Sequence, residues 1–421
     1  TMTHDSSRRN FLRSTLYTAG AAGAAIQLGA PNAFAQTAPL KIKAPAAALQ
    51  PINLGANTLS IGPSAKALEA IGQYAVKSGG YGGRESGEFV EILSKQLGVP
   101  ADHISVYPGS GTPLDLVTVA FTSPKGSLVT ADPTYEQAWR TSQRVGAKLI
   151  KVPQRKDFSH DVEAMCAADP NAGMIYICNP NNPTGGINLR KDIEYAAKNK
   201  PAGSILVVDE AYIHFSDNAV SAADLCASGE SVVVLRTFSK LYGMAGLRLG
   251  YAVGSPANLA KMNGGSGRSQ GVVAMTTIGA GIASLTDEKL VPSRRAMIKK
   301  GRTETITWLE KQGYACTISE ANCFMVDVKR PGRQFQADMA THGVNIGRTW
   351  AGFENWPRIS VGTEAEMKRF RDAFTAVMAG QLGAITPQTR QRAALELPGS
   401  QLQRASFVDE QAYRMPLHTS C

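Results

Sequence analysis

Apolar residues in this chain fall into short runs separated by stretches of helical spacing. Ser127–Ala131, Lys148–Val152, Gly173–Cys178, Ser204–Val208, Val232–Leu235 and Leu249–Val253 read as strands. Runs apolar on both faces, interleaved with helices, predict an α/β fold with a mostly parallel sheet covered on both sides. Ahead of them, Pro63 to Tyr74 carries helical spacing through Ala67, Leu68 and Ile71, and Glu85 to Leu97 through Phe89, Ile92, Leu93 and Leu97. A Gly79–Gly83 loop separates the two. Lys289 to Gly313 predicts a long helix bridging to a smaller α+β unit. That unit has a strand at Cys323–Val328, a helix near Phe335–His342, a strand at Arg358–Val361 and a last helix from Glu364. At 421 residues the chain is long enough for two domains. The expected division is a large domain over 66–288 and a small one over 289–382. An N-terminal arm over 36–65 joins the small domain, and 383–421 is a polar, proline-punctuated tail. No internal repeat is visible.

The first thirty-five residues change this picture, because they read as an address rather than as fold. Ser7-Arg8-Arg9-Asn10-Phe11-Leu12-Arg13 resembles a twin-arginine export signal. An uncharged Ala/Gly-rich stretch follows, then Ala33-Phe34-Ala35 as a cleavage site before Gln36. Gly20, Gly23, Gln27 and Gly29 make the stretch too weakly apolar for a membrane anchor. The expectation is a periplasmic protein, carried by the twin-arginine export machinery and left with no membrane anchor. Cleavage removes Arg8, Arg9, Arg13 and Asp5 and lowers the formal net charge from +10 to +8. Lys and Arg are scattered, without a basic run or basic–aromatic interleaving, which argues against nucleic acid as a partner. The six cysteines show no metal-ligand spacing and the six histidines do not cluster, so no metal is expected. Cys178 sits in an apolar run as a core residue, while Cys316 and Cys323 flank a polar turn and can oxidise after export.

Candidate chemistry concentrates where strands end. Tyr107-Pro108-Gly109-Ser110-Gly111-Thr112-Pro113 puts small residues ahead of a helix start, leaving backbone N–H groups free for a phosphate. Asp132-Pro133-Thr134-Tyr135 follows a strand, and its tyrosine can stack on a flat ring or pack in a turn. Asn179-Pro180-Asn181-Asn182-Pro183-Thr184-Gly185-Gly186 leaves another strand as a rigid loop. Ligands bind at that edge of α/β sheets, and an amide at Asn182 can donate to a phenolate oxygen. Asp209, in Val208-Asp209-Glu210-Ala211-Tyr212, is a carboxylate at a buried strand end; it either meets a cation or caps a helix. Thr237-Phe238-Ser239-Lys240 follows the Val232–Leu235 run, with Arg248 eight residues beyond Lys240. A lysine whose surroundings lower its pKa becomes a nucleophile for carbonyls.

Taken together, these motifs resemble the fold-type-I, pyridoxal-phosphate-dependent class I/II aminotransferases, most closely the histidinol-phosphate aminotransferase branch, over about residues 60–380. The resemblance implies a large domain with a mostly parallel seven-stranded sheet, pyridoxal 5'-phosphate as cofactor, and a homodimer. Lys240 would carry the cofactor as a Schiff base and shuttle the proton. Asp209 would pair with the ring nitrogen, Asn182 and Tyr212 with the ring hydroxyl, and Tyr135 would stack on the ring. Ser110, Gly111, Thr112, Thr237, Ser239 and Arg248 would hold the phosphate, with Tyr81 reaching it from the neighbouring subunit. Arg358, in Pro357-Arg358-Ile359-Ser360-Val361-Gly362-Thr363, would bind the substrate carboxylate as a fork.

The same resemblance implies transfer of an amino group between an amino-acid-type substrate and a 2-oxo acid. A decarboxylase or oxidase acting on an amino acid would use the same cofactor residues and stays open at this point. The chain departs from the family in its arm, where Asn57-Thr58-Leu59-Ser60 stands in place of N-E-N-P; Asn57 is retained there as a substrate-side candidate. It departs again at Gly264-Gly265-Ser266-Gly267-Arg268-Ser269-Gln270. Two tryptophans, Trp350 and Trp356, fit either a flat substrate wall or the core of the small domain.

Overall fold

The structure, a computed structural model, describes residues 50–265 and 272–383. The expected export signal, most of the Gly264–Gln270 stretch and the tail from 384 lie outside the described residues. In chain order the elements are β1 (Ile52–Leu54), α1 (Ala65–Ala75), α2 (Gly83–Leu97), β2 (Ile104–Tyr107), α3 (Gly111–Phe121), β3 (Ser127–Asp132) and α4 (Gln137–Arg144). Next come β4 (Leu149–Pro153), α5 (Val162–Ala167), β5 (Ala172–Cys178), α6 (Arg190–Asn199), β6 (Ile205–Asp209), β7 (Val232–Thr237) and β8 (Gly250–Gly254). The remainder is α7 (Pro256–Met262), α8 (Met275–Leu285), α9 (Leu290–Glu310), β9 (Cys323–Met325), α10 (Gly332–Thr341), β10 (Val344–Ile346), β11 (Arg358–Ser360) and α11 (Glu364–Met378).

Seven strands form the central sheet in the order β2-β8-β7-β6-β5-β3-β4. Only β8 runs against its neighbours, pairing antiparallel with both β7 and β2. The continuous apolar runs are explained by burial on two faces. Met174, Tyr176 and Cys178 of β5 join one hydrophobic cluster, whereas Ile175 and Ile177 join the other. The first cluster continues into Ile298, Phe335, Phe370 and Phe374 of α9, α10 and α11, so the C-terminal unit packs on one face of the sheet. That unit holds two small sheets, β1 with β10 in parallel and β9 with β11 antiparallel.

Local signals set several boundaries. Ser64 caps α1 by accepting from the Ala67 N–H at 3.2 Å, and Gly98 closes α2 in the left-handed region at φ 67°. Thr363 and Glu366 form a capping box at the start of α11.

Three short strands differ from the sequence reading. β2 runs into the Tyr107–Pro113 motif where no strand was predicted, and β1 and β10 exist as each other's partners. The ladder expected over Cys323–Val328 stops at Met325, because Val326 bridges to Cys316 instead. Cys316 and Cys323 are both free thiols, and Cys323 is buried.

Candidate active site

Parallel strands deliver their C-terminal ends to one edge of the sheet, and a cavity of about 380 Å³ lies there. β6 ends in Asp209, which stands in register with Cys178 of β5 on one side and Leu235 of β7 on the other. The next strand end, after β7, supplies Lys240. Asp209 is 3% exposed. One carboxylate oxygen accepts from the Tyr176 hydroxyl at 2.9 Å and the other from the Ala211 N–H at 3.1 Å. It has no ion-pair partner among the described residues. Burial therefore raises its pKa to about 6, against the lowering effect of those hydrogen bonds and of Lys240. Lys240 is displaced the other way: burial first, then the Arg358 charge, lower its ammonium to about 8. Its Nζ lies 5.4 Å from the centre of the Tyr212 ring. Cys178 also lines the cavity, and burial pushes its thiol well up, so it is an inert wall.

A cradle of small residues and hydroxyls closes one end. Ser110 precedes α3, lines the cavity and makes no capping bond of its own, while Gly111 and Thr112 form the first turn. The Ser239 N–H donates to Thr237 Oγ1 at 3.1 Å and the two hydroxyls meet at 2.9 Å. Arg248 adopts φ 56°, a left-handed conformation rare for a side-chain-bearing residue. Its guanidinium lies so close to Gly109 that a Cβ there would run into it. Gly250 is equally constrained: a Cβ would sit 2.6 Å from the Gly109 carbonyl carbon and 2.7 Å from the Ser110 nitrogen. β8 is thus the floor on which this loop rests.

At the other end, Arg358 Nη1 donates to Asn182 Oδ1 at 2.6 Å and Nη2 donates to the Gly55 carbonyl. With its oxygen engaged, Asn182 has its amide N–H₂ left as the donating end. Tyr212 is buried, and its hydroxyl accepts from Asn57 Nδ2 at 3.1 Å. Asn57 itself stands behind the wall, at φ 52° and 1% exposure, tied also to Ser360 and Cys323. Its neighbours Ala56 and Thr58 line the cavity in its place. Tyr135 lines the cavity and is 37% exposed. Of the predicted residues, Tyr81 stands apart; it is 97% exposed on the single chain.

The sequence pattern of the aminotransferase class I and II family matches residues 50–374. The chain belongs to that family. It is a pyridoxal-phosphate-dependent aminotransferase, similar to the histidinol-phosphate aminotransferases. Moorella thermoacetica histidinol-phosphate aminotransferase is 31% identical over 334 residues, covering 78% of this chain and 86% of the relative. The aromatic amino acid aminotransferase of Cutibacterium acnes is 30% identical, with 78% and 93% covered. Among solved structures, histidinol-phosphate aminotransferase from Sinorhizobium meliloti in complex with pyridoxal-5'-phosphate superposes with a TM-score of 0.72 at 25% identity, covering 79% of this chain and 91% of that one.

The residues present fit this cofactor. A buried carboxylate without its own cation suits a protonated ring nitrogen, and a lysine held toward its neutral form suits the aldehyde. The Gly109–Ser110 cradle beside Arg248 suits the phosphate.

The structure also brings to the site residues that motif reading passed over. Gln137 Oε1 accepts from the Tyr135 hydroxyl at 2.9 Å, while its Nε2 donates to the Gly111 carbonyl and to Asp115 Oδ2, both at 2.9 Å. One side chain thus links Tyr135 to the first turn of α3. Behind Asp209, Glu210 is paired with Arg236 through two 2.8 Å contacts and accepts from Ser221 and the Ala222 N–H. Arg294 of α9 donates to the Leu241 carbonyl at 2.9 Å and the Gly62 carbonyl at 2.8 Å, fixing the turn after Lys240. Trp350 is buried beside a second cavity next to Arg358, whereas Trp356 packs with Phe158 and Phe353.

Proposed function

We propose that the predicted residues divide the work of transamination among themselves as follows. The observation that carries the reading is one amine and one carboxylate, Lys240 and Asp209, in one cavity and each pushed by burial toward its neutral form. Pyridoxal phosphate, when bound, supplies an electron sink for the charge that develops at the Cα of the amino acid. Lys240 Nζ, with a pKa of about 8, is partly a free amine at neutral pH and moves the proton on and off that carbon. Asp209 supplies the anion that keeps the ring nitrogen protonated. Asn182 and Tyr212 orient the ring through its hydroxyl, and Tyr135 covers its face. Ser110, Gly111, Thr112, Thr237, Ser239 and Arg248 hold the phosphate. Arg358 has spent one N–H of each terminal nitrogen on Asn182 and Gly55, so each keeps one for a substrate carboxylate.

Tyr81 fits this division only in a homodimer, where its exposed ring would meet the phosphate of the second copy. Residues 7–35 support export by the twin-arginine route and a periplasmic location.

Borohydride reduction of the holoenzyme should bleach its visible band and leave the label on Lys240; a label on another lysine would remove the assignment. With an amino acid and a 2-oxo acid supplied together, one new 2-oxo acid should form per amino group transferred. Carbon dioxide or peroxide in that proportion would select decarboxylation or oxidation instead.

A further inference from the structure

Asn57 stands in the arm behind the cavity wall, with every polar group it has engaged. Its N–H donates to Ser360 Oγ at 2.9 Å, and its carbonyl accepts from Asn322 Nδ2 at 3.1 Å. Its side-chain oxygen accepts from the Ser360 hydroxyl at 2.8 Å. The amide nitrogen donates to Cys323 Sγ at 3.2 Å and to the Tyr212 hydroxyl at 3.1 Å. The backbone that allows this is left-handed, a conformation asparagine tolerates better than most residues with a side chain.

These bonds settle which way the hydrogens point. The Ser360 oxygen already accepts from the Asn57 N–H, and among the described residues its own hydrogen has no acceptor besides Asn57 Oδ1. The amide oxygen is therefore held on Ser360, and the N–H₂ end faces Tyr212. The Tyr212 oxygen accordingly accepts, and its hydrogen meets no acceptor among the described residues. Burial holds this phenol well above its ordinary pKa, so it keeps that hydrogen. A buried donor without an acceptor is costly, and Tyr212 lines the cavity, so the hydrogen is left for a ligand there.

We propose that Asn57 is a positioning residue: by donating to the Tyr212 oxygen, it fixes the phenol as a hydrogen-bond donor toward the cavity and so stabilises negative charge on the cofactor's ring oxygen. This rests on the role given to Tyr212 above. A hydroxyl that receives a hydrogen bond donates a stronger one, and a bond donated to a charged form favours that form. The arm thereby acts on the cofactor without touching it, through a side chain 155 positions away in the chain. Ser360 is the second part of the device, because it keeps the amide from turning its oxygen onto Tyr212. With that oxygen on Tyr212, the phenol would give its hydrogen to Asn57 and offer the cavity only an acceptor.

The test follows the visible absorbance of the holoenzyme against pH and needs no turnover. N57G suits the left-handed backbone and removes the amide. It should raise the midpoint of the titration by about 0.5–1 pH unit, because the anionic ring oxygen loses a strengthened donor. Y212F should raise it at least as far. N57G/Y212F should go no further than Y212F alone, because Asn57 acts through that hydroxyl. S360A leaves the arm's own residues intact and frees the amide to turn, so it should raise the midpoint too; it decides the matter if N57G does not fold. The proposal falls if Y212F raises the midpoint while S360A, or a folded N57G, leaves it unmoved or lowers it. It also falls if N57G adds its full shift on top of Y212F, as a residue that only supports the fold would. If Y212F itself leaves the midpoint unmoved, Tyr212 does not hold the ring oxygen, and the role given to it above fails together with this one.

Discussion

Asp209 and Lys240 show how the site is held in readiness against its own stability. The folded pKa of Asp209, about 6, lies above that of an ordinary carboxyl. Its contribution to stability is therefore present below pH 4 and lost as pH rises through 6, where the buried group must ionise. At pH 7 the cofactor-free fold carries that cost, and a cation at the ring nitrogen would relieve it. Asp209→Asn should accordingly stabilise the cofactor-free protein by ~1–3 kcal/mol at pH 7. The advantage should disappear when the melt is repeated near pH 4. The same change should lower the transamination rate about a hundredfold or more, since a preorganised electrostatic partner is lost. A variant that melts earlier at pH 7 and keeps its rate would show Asp209 to be a structural cap. Lys240 has the opposite sign: its folded pKa is depressed, so stability rises as pH climbs from about 8 toward 10.5.

At the level of elements, the cavity depends on how two loops are seated. Gln137, at the start of α4, holds both the Tyr135 hydroxyl and the Gly111 carbonyl. Gln137→Leu removes these bonds at similar volume, so it should weaken cofactor binding about tenfold while the melting temperature of the cofactor-free protein moves by a few degrees at most. Equilibrium titration with pyridoxal phosphate reads the effect; an unchanged dissociation constant would make Gln137 ordinary surface. Gly250 of β8 tests the floor beneath the same loop. Its Cβ would approach Gly109, Ser110 and the Arg236 carbonyl at 2.6–2.8 Å, all of them backbone atoms that cannot turn away. Gly250→Ala should therefore cost about 1–3 kcal/mol by the usual scale of overpacking, and its cofactor should be lost on dialysis. Full retention would place the phosphate elsewhere.

These two residues also mark where sequence reading stops. The two-sided strands β3, β5, β6 and β7 are legible because burial on both faces leaves an unbroken apolar run. β1 and β10, three residues each, carry no such run; they are fixed by pairing Ile52 with Val344 across the length of the chain. Within the site, residues in contiguous motifs are legible because the chemistry needs them adjacent to a strand end. Gln137 looks like any polar helix start, and the Asn57–Cys323 contact joins positions 266 residues apart.

For the whole molecule, the decisive property is that the site exists only in the complete fold. Residues from Ser110 to Arg358 line one cavity, and Ala56 and Thr58 of the arm close it. A chain threaded unfolded across a membrane would carry no part of that site, and would have to find a phosphorylated, cytoplasm-made cofactor on the far side. The proposed export in the folded state would avoid this, and would give Arg8 and Arg9 a physical reason to precede this particular fold. Protein recovered from the periplasm should then begin near Gln36 and absorb as holoenzyme without added cofactor. Changing Arg8 and Arg9 together to Lys should strand loaded, active precursor in the cytoplasm, read by fractionation, cofactor absorbance and activity. Lys240→Ala combined with Arg248→Ala should lower the exported fraction, because the cofactor-free cavity keeps Asp209 buried without a cation and the fold is looser. Active enzyme found only in the cytoplasm, with residues 1–35 still attached, would overturn the export proposal and return the protein to intracellular amino-acid metabolism.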